Sequence, residues 1–432
     1  MLRRLPTPCK TTAEFPAPTP SPNISVATRR PAEPEAAVKI TNVQPIQADA
    51  AWAAYTFVKV ETDAGITGYG ECSDWRAPNA VAGGVLDMRG VVLDQDPMAV
   101  AALTAAMNRH NQQAPGGTMG RAIAGIECAL WDIKGKAYGV PVYELFGGPF
   151  RNRVRLYWSH CSTYRARYSE LLGTPPIRTY DDIADLGREV VQRGFTALKT
   201  NITIPGDPAD VYATTDGILE PGILERITSL LDAFRAGTGD GFDLALDINY
   251  NFKTHGATKI AKALEPYDMM WLELDTWEPA ALRQVTRSTS TTICSGESVN
   301  TLLDYRPFLE QKAMDVGMVD IPWTGFAQAK AIIDLAESHD IVMAPHNYYS
   351  HLSTFMAAHL CAATRCVQIM ETDVDAAPWR DDLFTEIPQI EDGYLVIPDS
   401  PGWGIDLNEE AIAERPWHGA IPSSGVLSPP DR

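Results

Sequence analysis

Positive charge is scarce in this 432-residue chain: 36 Lys and Arg stand against 55 Asp and Glu, a formal net charge of −19. A field of that sign repels nucleic acid and anionic membranes, so neither is an expected partner. An anionic substrate would also be repelled unless positive charge were placed locally to hold it. Long apolar runs are missing as well. No stretch approaches the roughly 18 unbroken apolar residues that a membrane helix needs. No apolar segment follows Leu2-Arg3-Arg4, which argues against a secretory signal, and residues 1–36, rich in Pro, Ala and Thr, read as a disordered arm or a misplaced start. The seven cysteines are scattered, odd in number and without a C-x-x-C pair, a pattern that suits a reducing cytoplasm and not a zinc site or disulfide framework. Cys361 and Cys366, in an apolar helical stretch, read as core packing. Finally, no G-x-G-x-x-G or G-x-x-x-x-G-K-[ST] follows a candidate strand, which counts against an open nucleotide-binding sheet.

What is present is ordinary globular composition, 45% apolar and 21% charged, at a length that predicts two domains. Residues 37–150 read as an α+β domain. Strand patterns at Val38–Ile40, Ala54–Glu61 and Thr67–Glu71 predict a meander, and Ala80–Tyr138 turns helical. Over 151–378 short apolar runs alternate with amphipathic segments. The runs are Val154–Trp158, Ala197–Thr200, Leu244–Ile248, Met270–Leu274, Thr292–Cys294, Val316–Val319, Ile341–Ala344 and Val367–Met370. Runs and intervening helices in that order predict a parallel (β/α) barrel. Ile202–Gly222, long and rich in Pro, Gly, Asp and Thr, reads as a loop over the barrel mouth, a candidate lid. Residues 379–432, with Trp379, Trp403 and Trp417, are expected to return to the first domain.

Active sites of such barrels lie at the C-terminal strand ends. There this chain places Lys199, Asp247, Glu273, Glu297, Asp320, His346 and Glu371. Carboxylates converging on one mouth repel one another unless something positive holds them. Asp247, Glu273 and Glu297 offer hard oxygen without sulfur or imidazole, which points to Mg²⁺ rather than zinc. Helix capping is the competing reading; it fits Asp247 and Asp320 tolerably and the glutamates poorly. Asp320 and His346 end neighbouring strands, so a carboxylate-oriented imidazole base can form. Lys199 can neutralise a substrate carboxylate or enolate. Glu371, if protonated, can donate to the same carboxylate. Asn249, two residues past Asp247, points the same way.

These residues in this order resemble the enolase superfamily, and within it the mandelate racemase subgroup of the mandelate racemase / muconate lactonizing enzyme family. The resemblance runs from about Val38 to Trp417. Its most specific stretch is Ala129-Leu130-Trp131-Asp132-Ile133-Lys134-Gly135-Lys136, continued by Gly139, Pro141, Leu145 and Gly147-Gly148. It implies a modified TIM barrel, (β/α)7β, under an α+β cap formed from both chain ends. It further implies Mg²⁺ on Asp247, Glu273 and Glu297, the Asp320–His346 base, and Glu371 as donor to the substrate carboxylate; enolase-superfamily sites in general pair a Lys or His base with Mg²⁺. Its members are commonly homo-oligomers.

One departure carries information. The second strand of this family commonly ends K-x-K, the second Lys being a base; here it reads Lys199-Thr200-Asn201. Asn takes no proton at neutral pH, so two-base racemisation is disfavoured and one-base β-elimination favoured. K-x-N also occurs in galactonate dehydratase relatives, where a His is expected two residues past the first metal ligand; Asn249 stands there instead. The general acid is then either His346, returning its own proton, or His160 at the first strand end. The expected function is Mg²⁺-dependent dehydration of a sugar acid to a 2-keto-3-deoxy acid. The alternatives are a one-base epimerase or cycloisomerase, and a non-catalytic metal-binding barrel. Substrate contacts are expected from Asn201, Asn249, His160 and Tyr348, and from Trp75 and Arg76 in the cap loop Cys72–Gly84. A second cap loop is expected at Gln44–Trp52, and Tyr349 reads as pocket lining or packing.

Overall fold

The computed structural model describes residues 38–419, so the expected arm at residues 1–36 lies outside it. The chain opens with three antiparallel strands, Ile40–Asp49, Ala54–Thr62 and Thr67–Glu71. The first is much longer than its apolar start at Val38–Ile40 suggests. Gln44 through Asp49 pair in unbroken register with Lys59 back to Ala54, so most of the stretch expected to be a loop is strand. Residues Gln44 to Gln47 are all half-buried, leaving no alternation for a sequence pattern to reveal.

Three helices, Pro78–Val92, Val100–His110 and Gly117–Tyr138, pack with this sheet around one apolar core. The last lies directly on the strands. A Cβ on Gly70 would stand 2.1 Å from the Gly125 carbonyl oxygen, and one on Gly125 would stand 2.8 Å from Val58, so neither position admits a side chain.

The barrel strands follow in chain order: Arg153–Ser159, Ala197–Asn201, Asp243–Asp247, Trp271–Glu273, Ile293–Ser295, Val316–Gly317, Val342–Met343 and Met370–Asp373. Each is parallel to its neighbour, the eighth pairs with the first, and a bridge from Met343 to Val367 closes the ring. These strands are buried on both faces, which is why they read as continuous apolar runs. An α-helix connects each of the first seven strands to the next, whereas the eighth is followed by a 3-10 turn at Asp381–Leu383 and, farther along the tail, the short helix Glu409–Glu414. The architecture is therefore a (β/α)7β barrel beside an α+β cap.

The tail makes two attachments. Tyr394–Val396 adds antiparallel to the start of the first barrel strand. Trp403 returns to the cap, donating from its backbone N–H to Asp132 (2.9 Å) and from Nε1 to the Tyr69 carbonyl (3.0 Å). Among the described residues, no helix is long and apolar enough to cross a membrane, and the six cysteines are free thiols, Cys361 buried and Cys366 partly so.

Candidate active site

Parallel pairing sets the mouth. Asn201 is registered with Asp247 and Asp247 with Glu273, so the second, third and fourth strands present these three side chains in one row. Glu297 follows two residues after the fifth strand ends, Asp320 bridges to His346 across the sixth and seventh, and Glu371 lies on the eighth. Of these, Asn201, Asp247, Glu297 and His346 line one cavity of about 750 Å³ together with Lys199, its rim completed by Trp75 and Arg76 of the cap.

Each candidate metal-binding acid is held by a different protein donor. Lys199 Nζ reaches both Glu273 oxygens (2.9 and 3.0 Å) and also Glu371 Oε1 (2.9 Å). Asp247 accepts from Asn201 Nδ2 (3.0 Å), Asn249 Nδ2 (2.7 Å) and the Asn249 backbone (2.6 Å). Glu297 Oε2 stands 3.1 Å from His346 Nε2. Accordingly, among the described residues no three His, Cys, Asp or Glu side chains stand as a closed ligand set. The donors nonetheless fall short of the acids. Burial pushes the Glu273 carboxyl well up; Lys199 opposes this, while Asp247 and Glu297 add to it. Burial likewise raises Asp247, with Lys199 pulling it back and Glu297 pushing it further. Asp275 is raised well above the ordinary range by burial and then by Glu297, Asp247 and Glu273, and its buried Oδ2 has no hydrogen-bond partner. An all-oxygen donor set with excess negative charge and an orphaned carboxylate oxygen fits a hard divalent cation.

Asp320 satisfies both readings open to it, one oxygen for each. Oδ1 accepts from the Trp323 backbone (2.9 Å) and caps the short helix Ile321–Thr324, while Oδ2 takes His346 Nδ1 (2.6 Å) and the Tyr349 hydroxyl (2.7 Å). His346 therefore presents Nε2 to the cavity side. Its pKa is raised to about 10: burial works against the charged form, but Glu297, Glu371 and Asp320 prevail. Any cation that engages Glu297 weakens the largest of those raising contributions.

Glu371 departs from expectation. It accepts from Lys199, from the Asn347 backbone (2.8 Å) and from the Ser159 hydroxyl. Burial alone would raise its pKa, but Lys199, His346 and His160 hold the carboxyl well below the ordinary range. In this arrangement it is an ionised acceptor and not the protonated donor expected above, because the cations beside it outweigh desolvation.

Of the substrate contacts expected, Asn201 and Asn249 are committed to Asp247. Tyr348, partly exposed to the cavity, lies near both imidazoles, its ring centre 5.6 Å from His160 and 5.0 Å from His346. Tyr349 is buried against Asp320. Arg76 lies over the Trp75 ring (4.3 Å) at the rim. The segment after the second strand forms a small hairpin, Thr203–Ile204 with Asp210–Val211, and its continuation from Val211 to Thr214 walls the cavity. Several site residues escape a reading of the sequence. Asp275 and Asp373 each lie two positions past a chosen glutamate, a spacing that could have flagged them. Arg121, on the cap helix, stacks over Trp323 (4.0 Å) and pairs with Asp74, and no local pattern announces it.

Known proteins share this fold. Residues 34–147 match the family described as the mandelate racemase / muconate lactonizing enzyme N-terminal domain, and residues 182–411 match the enolase C-terminal domain-like family. The chain is similar to the D-xylonate dehydratase of Haloferax volcanii, with 30% identity over 87% of this chain and 88% of that one. It is similar to the D-galactonate dehydratase of Ralstonia pickettii, with 28% identity over 88% and 94%. Among solved structures it resembles a Burkholderia xenovorans protein provisionally named an L-alanine-DL-glutamate epimerase, bound to magnesium and fumarate, with a TM-score of 0.85 and 36% identity over 88% and 96% of the two chains. A provisionally named dehydratase from Mesorhizobium loti gives a TM-score of 0.79 at 27% identity over 88% and 99%.

Proposed function

Because the chain belongs to the mandelate racemase / muconate lactonizing enzyme family of the enolase superfamily, we propose that it is a Mg²⁺-dependent dehydratase of a sugar acid, an aldonate or aldarate. The observation that carries the reading is the mouth itself: one Asp-oriented histidine faces a buried cluster of oxygen acids, with an amide, Asn201, where a second base would stand. Curated relatives named as dehydratases of xylonate, galactonate and gluconate point the same way. Asp247, Glu273 and Glu297 would hold Mg²⁺, which when bound neutralises the substrate carboxylate and the charge that develops on it. Lys199 adds a fixed positive charge at that end of the site. His346 Nε2 removes the proton α to the carboxylate, and Asp320 fixes the tautomer and supports the imidazolium that forms. Loss of the β-hydroxyl then leaves an enol, which becomes the 2-keto-3-deoxy acid.

The name of the Burkholderia structure favours a second reading, epimerisation at an α-carbon. Inversion needs a proton delivered to the face opposite its removal, and Asn201 supplies none there. The free thiols accord with a reducing compartment, and we assign the protein to the cytoplasm; homo-oligomerisation is carried over from the family resemblance. The deciding experiment screens aldonic and aldaric acids for 2-keto product with Mg²⁺, with chelator, and with His346→Asn. We expect product that chelation abolishes and that the substitution lowers roughly 10²–10⁴-fold. Exchange of the α-proton in D₂O without loss of water would replace this reading by the epimerase, and no exchange with any acid would leave a binding protein.

A further inference from the structure

The mouth holds a second histidine–aspartate pair. His160, just past the first strand, places Nδ1 2.9 Å from Asp373 Oδ1 at the end of the eighth. With Nδ1 so occupied, Nε2 is the nitrogen left for a ligand; it has no hydrogen bond among the described residues, and the side chain lines the cavity with 18% of its surface exposed. Structural histidines more often have both nitrogens spoken for, as His359 does here: its Nδ1 accepts from the Tyr143 backbone and its Nε2 donates to the Trp403 carbonyl.

The placement of His160 is over-determined. Its backbone lies in the left-handed region (φ 46°), which few residues other than glycine adopt, though histidine does so more readily than most. The ring stacks on Tyr164 (4.5 Å, interplanar 9°), Tyr164 packs on Trp52 of the cap (4.7 Å), and Tyr348 lies tilted against the imidazole (5.6 Å). Beyond Tyr348 stands His346. Two imidazoles, each oriented by its own aspartate, thus flank one tyrosine, with the Glu371–Asp373 strand between the strands that carry them.

We propose that His160, protonated at Nε2 and oriented by Asp373, is the general acid for the departing hydroxyl; this rests on the dehydratase reading. His346 Nε2 takes the proton from C2, and the C–H pair enters the carboxylate as an enediolate. That pair returns to form the C2–C3 double bond as the C3–O bond breaks, and the leaving oxygen takes its proton from His160 Nε2 and departs as water. The enol then ketonises: C3 receives a proton and the enol hydroxyl releases one, so both imidazoles return to their starting states through exchange with solvent. Acid and base are different residues, which removes any need for His346 to return its own proton. Asp373 is a positioning residue and Trp52 supports the stack from behind.

The test separates the two half-reactions in the intact protein with Mg²⁺. For His160→Gln we expect 2-keto product to fall roughly 10²–10⁴-fold, the usual worth of a general acid. Exchange of the substrate α-proton in D₂O should stay within a few-fold of the unsubstituted protein. A substrate carrying fluoride in place of the C3 hydroxyl should be spared, since fluoride departs without a proton. Asp373→Asn should reproduce the same split more weakly, as a change in kcat more than in KM. Unchanged dehydration by His160→Gln overturns the proposal and leaves the proton return to His346. A parallel fall in dehydration, exchange and fluoride release, with an unaltered thermal midpoint, overturns it too by making His160 a binding residue. Absence of sugar-acid turnover by the unsubstituted protein would instead remove the dehydratase reading beneath it.

Discussion

Buried carboxylates occur in two regions of this molecule, and they are treated in opposite ways. Along the seam between cap and barrel, Glu127 accepts from Trp131 Nε1 (2.6 Å) and from the Phe326 and Ala327 backbone (2.7 and 3.1 Å). Asp132 accepts from Tyr69, Trp403 and Lys136. Glu71 accepts from the Ser73 and Ser350 hydroxyls and from the Ser350 and Ser353 backbone. At the mouth, Asp247, Glu273, Asp275 and Glu297 face one another, and Asp275 keeps an oxygen with no partner. The seam acids are each matched by several donors within the fold; the mouth acids raise one another's pKa and leave one carboxylate oxygen unpartnered. The seam is also tied to the chemistry. Glu127 caps the helix that begins at Phe326 and Glu71 caps the one that begins at His351, and these helices follow the segments that carry Asp320 and His346.

The comparison breaks first at Glu127. Glu127→Ala strands an indole N–H and two backbone N–H groups in the seam, each worth about 1–3 kcal/mol, so we expect a loss of about 4 kcal/mol in urea unfolding, with partial recovery in Glu127→Gln. A loss below about 1 kcal/mol would mean the seam acids are not structural anchors.

Glu71 offers a test by pH. Burial pushes its carboxyl up to about 7 even though the Ser350 and Ser73 hydroxyls and two backbone N–H groups pull it down. The folded state therefore holds this proton more tightly than the unfolded chain, whose carboxyl titrates near its ordinary value. Its stabilising contribution is complete below about pH 4.5 and is lost as pH rises through about 7, a change on the order of 3 kcal/mol. Denaturant midpoints measured across that window should show this slope, and Glu71→Gln should flatten it. An unchanged slope in the variant would assign the titration to another group.

The smallest effect sharpens the contrast. Asp275→Asn removes a group that three neighbouring acids repel, so in metal-free buffer we expect thermal stability to rise by about 1 kcal/mol, while dehydratase activity assayed with Mg²⁺ falls. Destabilisation instead would show the mouth acids to be as well matched as those of the seam.

The two regions also differ in how much of them the chain discloses. The barrel strands are legible because burial on both faces demands unbroken apolar runs. The residues at their ends are legible because a parallel barrel turns chain order into position around one mouth. The seam is not: the stretch from Ala129 to Lys136 stands out as a motif, but that Asp132 bridges Tyr69 to Trp403 involves partners 63 and 271 positions away. The strand Gln44–Asp49 escaped notice because half-buried residues on both sides erase the alternation that marks an amphipathic strand.

By itself the amino-acid order determined the barrel, the cap and the set of acids, lysine and histidine gathered at the strand ends. Those follow from burial patterns and strand periodicity, which are local properties. Only the tertiary structure decided that Glu371 is an acceptor, that Asp275 lacks a partner and that His160 has an aspartate behind it. Ionisation and orientation depend on which charges and dipoles surround a group in a dry interior, and those neighbours come from distant parts of the chain.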